Sequence, residues 1–192
     1  MARCTNPKHI ENIKRALMEL VGERGYEAVS ISMLAKKAKV STGYLYRHYS
    51  SKQQIVEEVT NEYKSLFRTF IKNCLEEGIE YDEFIKKVVE RLFIMAKKDF
   101  TRSKFVLRLF TDDLFRPECR FYEQDLHKKE IEDYFSAKQG QSKADDLDIN
   151  EVMKIILLMA ISFILTDVNA DNFDIEKSVN KVTRICIRAI TK

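Results

Sequence analysis

The chain has 192 residues, enough for one sizeable domain or for a small module joined to a larger one. Hydrophobic residues make up 45% of it and charged residues 33%, which excludes a disordered polar chain and favours a soluble helical protein. With 5 Gly and 2 Pro, it has too few turn-forming residues for a β-sandwich, barrel or propeller.

Positive charge is concentrated at the start of the sequence. The first 55 residues hold ten Lys or Arg against four Glu, whereas the remainder has a small excess of acidic residues. This layout is expected when the N-terminal part faces a polyanion. An ordinary solvated surface would also explain it.

The sequence offers no sign of catalysis, of a metal site or of a membrane span. The motifs of zinc proteases, nucleotide-binding loops and serine hydrolases are absent, so we expect neither an enzyme nor a cofactor. The first ten residues lack the apolar segment of a secretory signal, and the longest apolar stretch is too short to cross a bilayer. Four cysteines without metal-ligand or disulfide spacing indicate reduced thiols in a cytoplasmic protein; they are Cys4, Cys74, Cys119 and Cys186.

Apolar residues recur with helical spacing along almost the whole chain, which predicts about nine helices. The first begins after Asn6 with Pro7 at its first position, and it ends at Gly25. The other predicted helices span residues 31–38, 42–49, 52–78, 82–98, 102–115, 118–135, 148–167 and 174–191.

The second and third helices are short and are joined by a three-residue turn, Lys39-Val40-Ser41. This pattern matches the helix-turn-helix unit, whose second helix lies in the major groove of DNA. That helix would be roughly 12 Å long, which suits a groove about 12 Å wide. Its outward face would present hydrogen-bond donors to phosphates and base edges: Thr42, Tyr44, Arg47 and His48.

Two further residues of this segment favour contact with phosphate. Gly43 has no side chain, so the backbone at the start of the third helix can approach a phosphate closely. Lys52 is predicted at the first position of the fourth helix, where the helix dipole disfavours a cation unless an anion arrives.

The segment resembles the DNA-binding part of TetR-family transcriptional regulators. The matching residues are Met33-Leu34-Ala35, then Ala38 to Tyr49, then Ser51-Lys52, and they agree in order, spacing and type. The resemblance implies an all-α fold with a three-helix DNA-binding domain at residues 1–52. The fourth helix would join it to a helical ligand-binding and dimerisation domain at residues 53–192.

The same resemblance implies a sequence-specific regulator, a repressor released by a small-molecule effector, acting as a homodimer on a palindromic operator in double-stranded DNA. Arg47 is the expected base reader because its guanidinium can pair with guanine O6 and N7. The residues implied in DNA binding are Lys39, Thr42, Gly43, Tyr44, Tyr46, Arg47, His48 and Lys52.

Two positions depart from the family pattern. Lys39 stands where glycine is usual, so it is expected to adopt a positive φ at a cost of order 1 kcal/mol, and it adds a cation near the DNA. Tyr49 stands where phenylalanine is usual and is expected in the core.

The C-terminal part is predicted to form the dimer and to hold the ligand. Residues 152–165 include twelve apolar side chains among fourteen, so both the core and a second subunit are expected to cover this helix. With the last helix it would form a four-helix interface about a two-fold axis. The predicted interface residues are Ile155, Met159, Val179, Val182, Cys186 and Ile190. The predicted ligand-lining residues are Phe93, Phe105, Leu109, Phe110, Tyr122, Met159 and Phe163.

Two other functions stay open at this point. One is a ligand-binding or scaffold protein whose head no longer binds DNA, a reading that Lys39 alone favours. The other is a helical enzyme that acts through a pocket in the C-terminal part.

Overall fold

The computed structural model describes residues 6–111, 133–134, 149–167 and 173–190, and these form helices with short connections. The predicted all-α fold is confirmed, while the helix predicted at residues 118–135 lies almost wholly outside the described part. None of the described helices is long and apolar enough to span a membrane. The helices are α1 (Pro7–Arg24), α2 (Ile31–Ala38), α3 (Thr42–His48), α4 (Lys52–Glu76), α5 (Tyr81–Lys98), α6 (Phe100–Thr111), α7 (Ile149–Asp167) and α8 (Ile175–Ile190).

Side-chain caps start the first four helices where the sequence predicts them. Asn6 caps α1 through its side chain. The hydroxyl groups of Ser30, Ser41 and Ser51 each accept a hydrogen bond from the backbone N–H three residues later, at 3.2, 3.0 and 3.1 Å. Each such cap stabilises its helix by about 1 kcal/mol.

The chain packs as two compact units. We call the described residues of 1–66 and 101–119 the head unit, and those of 67–100 and 120–192 the body unit. The predicted division after residue 52 separates a DNA-binding function from a regulatory one, and it stays a prediction.

In the head unit, α1 packs against α2 and α2 packs against α3. Ile13, Leu17 and Val21 are spaced along one face of α1 and are buried, as are Leu34 of α2 and Leu45 of α3. Truncating such a leucine to alanine costs about 2–5 kcal/mol of stability. This small core fixes the position of α3.

Glycine is required at the end of α1. Gly25 has a φ of 83°, which disfavours any residue with a Cβ. A Cβ there would also lie 2.9 Å from a guanidinium nitrogen of Arg108, within the same unit. The predicted end of the first helix is thus confirmed, and its glycine leaves room for a side chain of α6.

In the body unit, α5, α7 and α8 pack against one another around a core of aliphatic and aromatic side chains. One face of α8 is completely covered inside this core. The residues on that face include Val179, Val182, Cys186 and Ile190. Packing within one chain already buries these four residues, and their place at a partner interface stays a prediction.

Candidate nucleic-acid interface

The turn between α2 and α3 is closed by backbone hydrogen bonds around Lys39. This residue is left-handed, with φ 57° and ψ 42°, so the predicted positive φ is confirmed. The Val40 N–H donates to the Ala35 carbonyl at 3.0 Å, and the Lys39 N–H donates to the Lys36 carbonyl at 3.3 Å. This is the Schellman arrangement that usually carries glycine. The turn therefore keeps the expected geometry without a glycine.

Helix α3 presents one open face and one packed face. Thr42, Gly43, Tyr46 and Arg47 are exposed, whereas Leu45 is buried. Tyr46 stands out because 61% of its surface is accessible, an unusual exposure for a large side chain. The open face thus offers a hydroxyl, a backbone without a side chain, a phenol and a guanidinium, which are groups that contact phosphates and bases.

Tyr44 and His48 are less open than the sequence suggested. Both are half-buried, and their rings lie 4.5 Å apart between centroids. The ring of His9, on α1, meets Tyr44 edge-on at 5.2 Å. These three rings join the recognition helix to α1, so packing is one role of Tyr44 and His48, and contact with DNA stays a prediction for both. The helical spacing of residues within α3 could not predict the contact with His9, because His9 lies on α1.

Lys52 is held inside the head unit by groups that the sequence did not suggest. Its ammonium donates hydrogen bonds to the carbonyl oxygens of Tyr26 at 2.6 Å and Val29 at 2.7 Å. It also lies 3.8 Å from the centroid of the Tyr26 ring, a cation–π contact. Burial lowers the pKa of Lys52, while the charge of Glu27 acts in the opposite direction.

These contacts give Lys52 a structural role that the sequence did not predict. The sequence predicted that a phosphate would balance the positive charge of Lys52 at the start of α4, where the helix dipole disfavours a cation. In the structure, two carbonyl oxygens and an aromatic ring stabilise this charge. A phosphate contact by this lysine stays a prediction. Its structural role is to fix the loop between α1 and α2 onto the start of α4.

A charged network next to the end of α3 was also not predicted from the sequence. The ammonium of Lys14 lies 2.6 Å from a carboxylate oxygen of Glu58 and 2.6 Å from one of Glu62. Arg102, on α6, lies 3.8 Å from the other oxygen of Glu62. Tyr49, which directly follows α3, is buried as predicted, and its hydroxyl donates a hydrogen bond to Glu58. The network therefore links the end of the recognition helix to α1 and α4.

The titration of these groups reflects their surroundings. Burial, together with the charge and hydrogen bond of Glu58, raises the pKa of Tyr49 to about 12. Partial burial alone would lower the pKa of Lys14, but its hydrogen bonds to Glu58 and Glu62 and their charges outweigh burial and raise it above the usual range.

The family model for bacterial regulatory proteins of the tetR family matches residues 13–59. This segment holds most of α1, the whole helix-turn-helix and the start of α4. The chain belongs to the TetR family. It is a helix-turn-helix transcriptional regulator, as the matching curated proteins are.

Three similar proteins each match more than nine-tenths of this chain. The helix-turn-helix transcriptional regulator UidR of Escherichia coli K12 is 22% identical over 183 residues, which cover 93% of this chain and 90% of UidR. FadR from Bacillus subtilis, solved with stearoyl-CoA, is 19% identical and superposes with a TM-score of 0.66 over 94% of this chain and 98% of its own. AibR, solved with isovaleryl coenzyme A and operator DNA, is 17% identical and superposes with a TM-score of 0.68 over 92% of this chain and 97% of its own.

The residues predicted to line a ligand site in this TetR-family chain fall in different units. Phe105 and Leu109 are buried in the head unit, and Phe93 is buried in the body unit. Met159 and Phe163 are half-buried on α7. The side chain of Phe110 and the whole of Tyr122 lie outside the described residues. Their common role around a ligand stays a prediction.

Proposed function

We propose that this TetR-family chain is a homodimeric repressor that binds a palindromic operator through α3 of each subunit and leaves it when a small molecule binds. The observation that carries the proposal is the open face of α3, where Tyr46 and Arg47 project from a helix fixed by its own core. The Schellman turn at Lys39 supports a working head over a scaffold role, because the departure from glycine leaves the turn intact.

Each residue of the open face has a role in this proposal. Arg47 reads a guanine with its guanidinium fork. Thr42, Tyr46 and the backbone at Gly43 bind phosphates, and Lys39 adds a cation at the turn. These contacts set the register of the protein on the duplex, while Arg47 supplies most of the base preference.

The outward face of α7 supports the homodimer. Leu158 and Leu165 are 49% and 36% exposed, and Ile155 and Met159 are half-buried on the same helix. Exposed apolar side chains on one helix are typical of a surface that a second subunit covers. In the cytoplasm, where the chromosome lies, such a dimer would place two copies of α3 on two half-sites.

The proposed contact with DNA is tested by measuring the affinity for duplex DNA at two salt concentrations. We expect labelled random duplex DNA to bind at 50 mM salt and to lose about a thousandfold in affinity at 200 mM, as roughly six phosphate contacts require. Light scattering on the same sample should give the mass of two chains. A protein that is monomeric and does not bind DNA at low salt would contradict the proposal.

Release by ligand is tested with two acyl-coenzyme A thioesters, because two proteins of the same fold were solved with such compounds. A ligand shifts the equilibrium only if its affinity differs between the DNA-bound and free states. We expect one of stearoyl-CoA and isovaleryl-CoA to lower operator affinity at least tenfold, with free coenzyme A as control. If operator affinity stays the same while either compound is bound, the release mechanism is wrong.

A further inference from the structure

Two of the three histidines in the chain lie in one cluster with Tyr44. The ring centroid of His48 lies 4.5 Å from that of Tyr44 on the same helix, α3. His9, near the start of α1, meets the Tyr44 ring edge-on at 5.2 Å. We call these three residues the ring cluster. All three belong to the head unit and are half-buried, so each histidine keeps part of its surface open to solvent.

The ring cluster borders the open face of α3. Tyr44 and His48 are four residues apart, so they lie on the same side of the helix. Gly43 and Arg47 precede them by one residue each and form the neighbouring row, and both are exposed. A charge gained by His48 would therefore lie beside groups for which we propose contact with DNA.

The side chain of neither histidine is held by a hydrogen bond or an ion pair to a described residue. The Nδ1 atom of His9 and the hydroxyl of Tyr44 are buried, and neither has a hydrogen-bond partner in the described part of the chain. Uptake of a proton would thus break no described contact of either histidine ring. Because a cation within about 6 Å of a tyrosine ring is attracted by its π electrons, the charged histidines would still pack against Tyr44.

The charged residues around the ring cluster are basic, apart from one glutamate. Helix α2 packs against both α1 and α3, so its second half and the turn that follows are included with the residues within four positions of each ring. The titratable residues of this set are Lys8 and Glu11 on α1, Lys36 and Lys37 on α2, Lys39 in the turn, Tyr46 and Arg47 on α3, Tyr49 after it, and Lys52 on α4. Glu11 is exposed and forms no ion pair with either histidine. A DNA phosphate is therefore a better counter-ion for a charged histidine than any group described here in the head unit.

We propose that DNA binding is linked to protonation of His9 and His48, so that the head unit binds DNA more tightly as the pH falls from 8 to 6. Histidine is the side chain that ordinarily changes its charge in this range. Each proton adds one positive charge near the DNA backbone, and each additional phosphate that the protein neutralises releases counter-ions and strengthens binding. This inference rests on the proposed DNA-binding function and adds a pH dependence that the function does not itself require.

Anisotropy titrations of labelled random duplex DNA at pH 6.0, 7.0 and 8.0 test the link. We expect the affinity of the parent to rise by about fivefold or more from pH 8.0 to pH 6.0, with a salt dependence that is steeper at pH 6.0 by about one to two phosphate contacts. The double variant His9→Phe/His48→Phe keeps a ring beside Tyr44 at both positions and cannot take up a proton there. Its affinity should change by less than about twofold over the same range.

The third histidine of the chain provides the matched control. His127→Gln removes an equally titratable group elsewhere in the sequence, so it should follow the parent at each pH. Thermal unfolding at each pH shows whether the variants are folded. If the double variant melts below the assay temperature, His9→Phe alone decides, and it should lose about half of the change in the logarithm of the affinity.

Four results would overturn the inference. The first is an affinity of the parent that does not depend on pH, and the second is a pH dependence that survives in the double variant. The third is equal loss of the pH dependence in His127→Gln, and the fourth is full parent behaviour of His9→Phe where that variant decides. A parent that binds no DNA at any pH contradicts the DNA-binding function itself, so the two failures are distinguishable.

Discussion

The ammonium group of Lys52 lies over the ring of Tyr26, 3.8 Å from its centroid, and donates a hydrogen bond to the carbonyl oxygen of the same residue. A second bond reaches the Val29 carbonyl. This one side chain therefore ties the loop before α2 to the first turn of α4. Its loss should weaken the head unit as well as any contact with phosphate.

The variant Lys52→Met keeps the aliphatic stem and removes the charge. Two carbonyl oxygens lose their donor, so we expect a loss of about 1–2 kcal/mol of stability and weaker binding to all DNA sequences alike. Thermal unfolding measures the first effect. Gln53→Ala, at the next and exposed position, serves as control, and equal melting temperatures for the two variants would contradict the structural role of Lys52.

Arg47 and Tyr46 are neighbours with different expected roles. Arg47→Ala should remove about 1–3 kcal/mol of discrimination at one base position, because a bidentate contact with guanine is lost. Tyr46→Phe should weaken operator and random duplex equally, because a phosphate contact carries no base information. Anisotropy titrations with matched and single-substituted duplexes measure both effects. An unchanged base preference in Arg47→Ala would show that another residue reads the base.

Lys39 combines a strained backbone with a useful charge. Lys39→Gly should raise stability by about 1 kcal/mol, since glycine adopts a positive φ without the clash of a Cβ. The same change should reduce the salt dependence of DNA binding by about one phosphate contact. Lys39→Ala is the matched control, because it loses the charge and keeps the strain. If glycine and alanine give the same melting temperature, the strain is absent.

The Tyr49 hydroxyl should give the head unit a distinctive pH dependence. Folding raises the pKa of Tyr49 to about 12 from the ordinary value near 10. The contribution of this hydroxyl to the free energy of unfolding is therefore present below pH 10 and is lost as pH rises toward 12. The raised pKa of Lys14 acts in the same direction. Tyr49→Phe cannot ionise at this position, so its melting temperature should fall less steeply over this range.

The control for this pH series is Tyr46→Phe, which removes an exposed hydroxyl and should follow the parent curve. Parallel curves for the parent and Tyr49→Phe would contradict the account of the buried hydroxyl.

Local signals in the sequence predicted most of the fold because they act over a few residues. The serines before α2, α3 and α4 cap those helices, and Gly25 ends α1. The open face of α3 was also partly predictable, since Leu45 fixes which side is buried and leaves Arg47 on the other. Helix ends moved by a residue or two, as when α6 begins at Phe100 instead of Arg102.

Tertiary partners were not predictable in the same way. The carbonyl groups that hold Lys52 belong to residues more than twenty positions earlier, and the glutamates that hold Lys14 lie more than forty positions later. Periodicity also marked one face of the last helix as apolar without showing what covers it. The structure assigns that face, including Cys186, to the core of its own chain.

Selection of bound sequences from a pool of random duplex DNA tests the central claim most directly. The account predicts enrichment of an inverted repeat whose half-sites are centred about 34–36 Å apart, one helical turn or a multiple of it, with a guanine in each half that Arg47→Ala no longer requires. Recovery of unrelated sequences without symmetry, from protein that is folded at low salt, would contradict it.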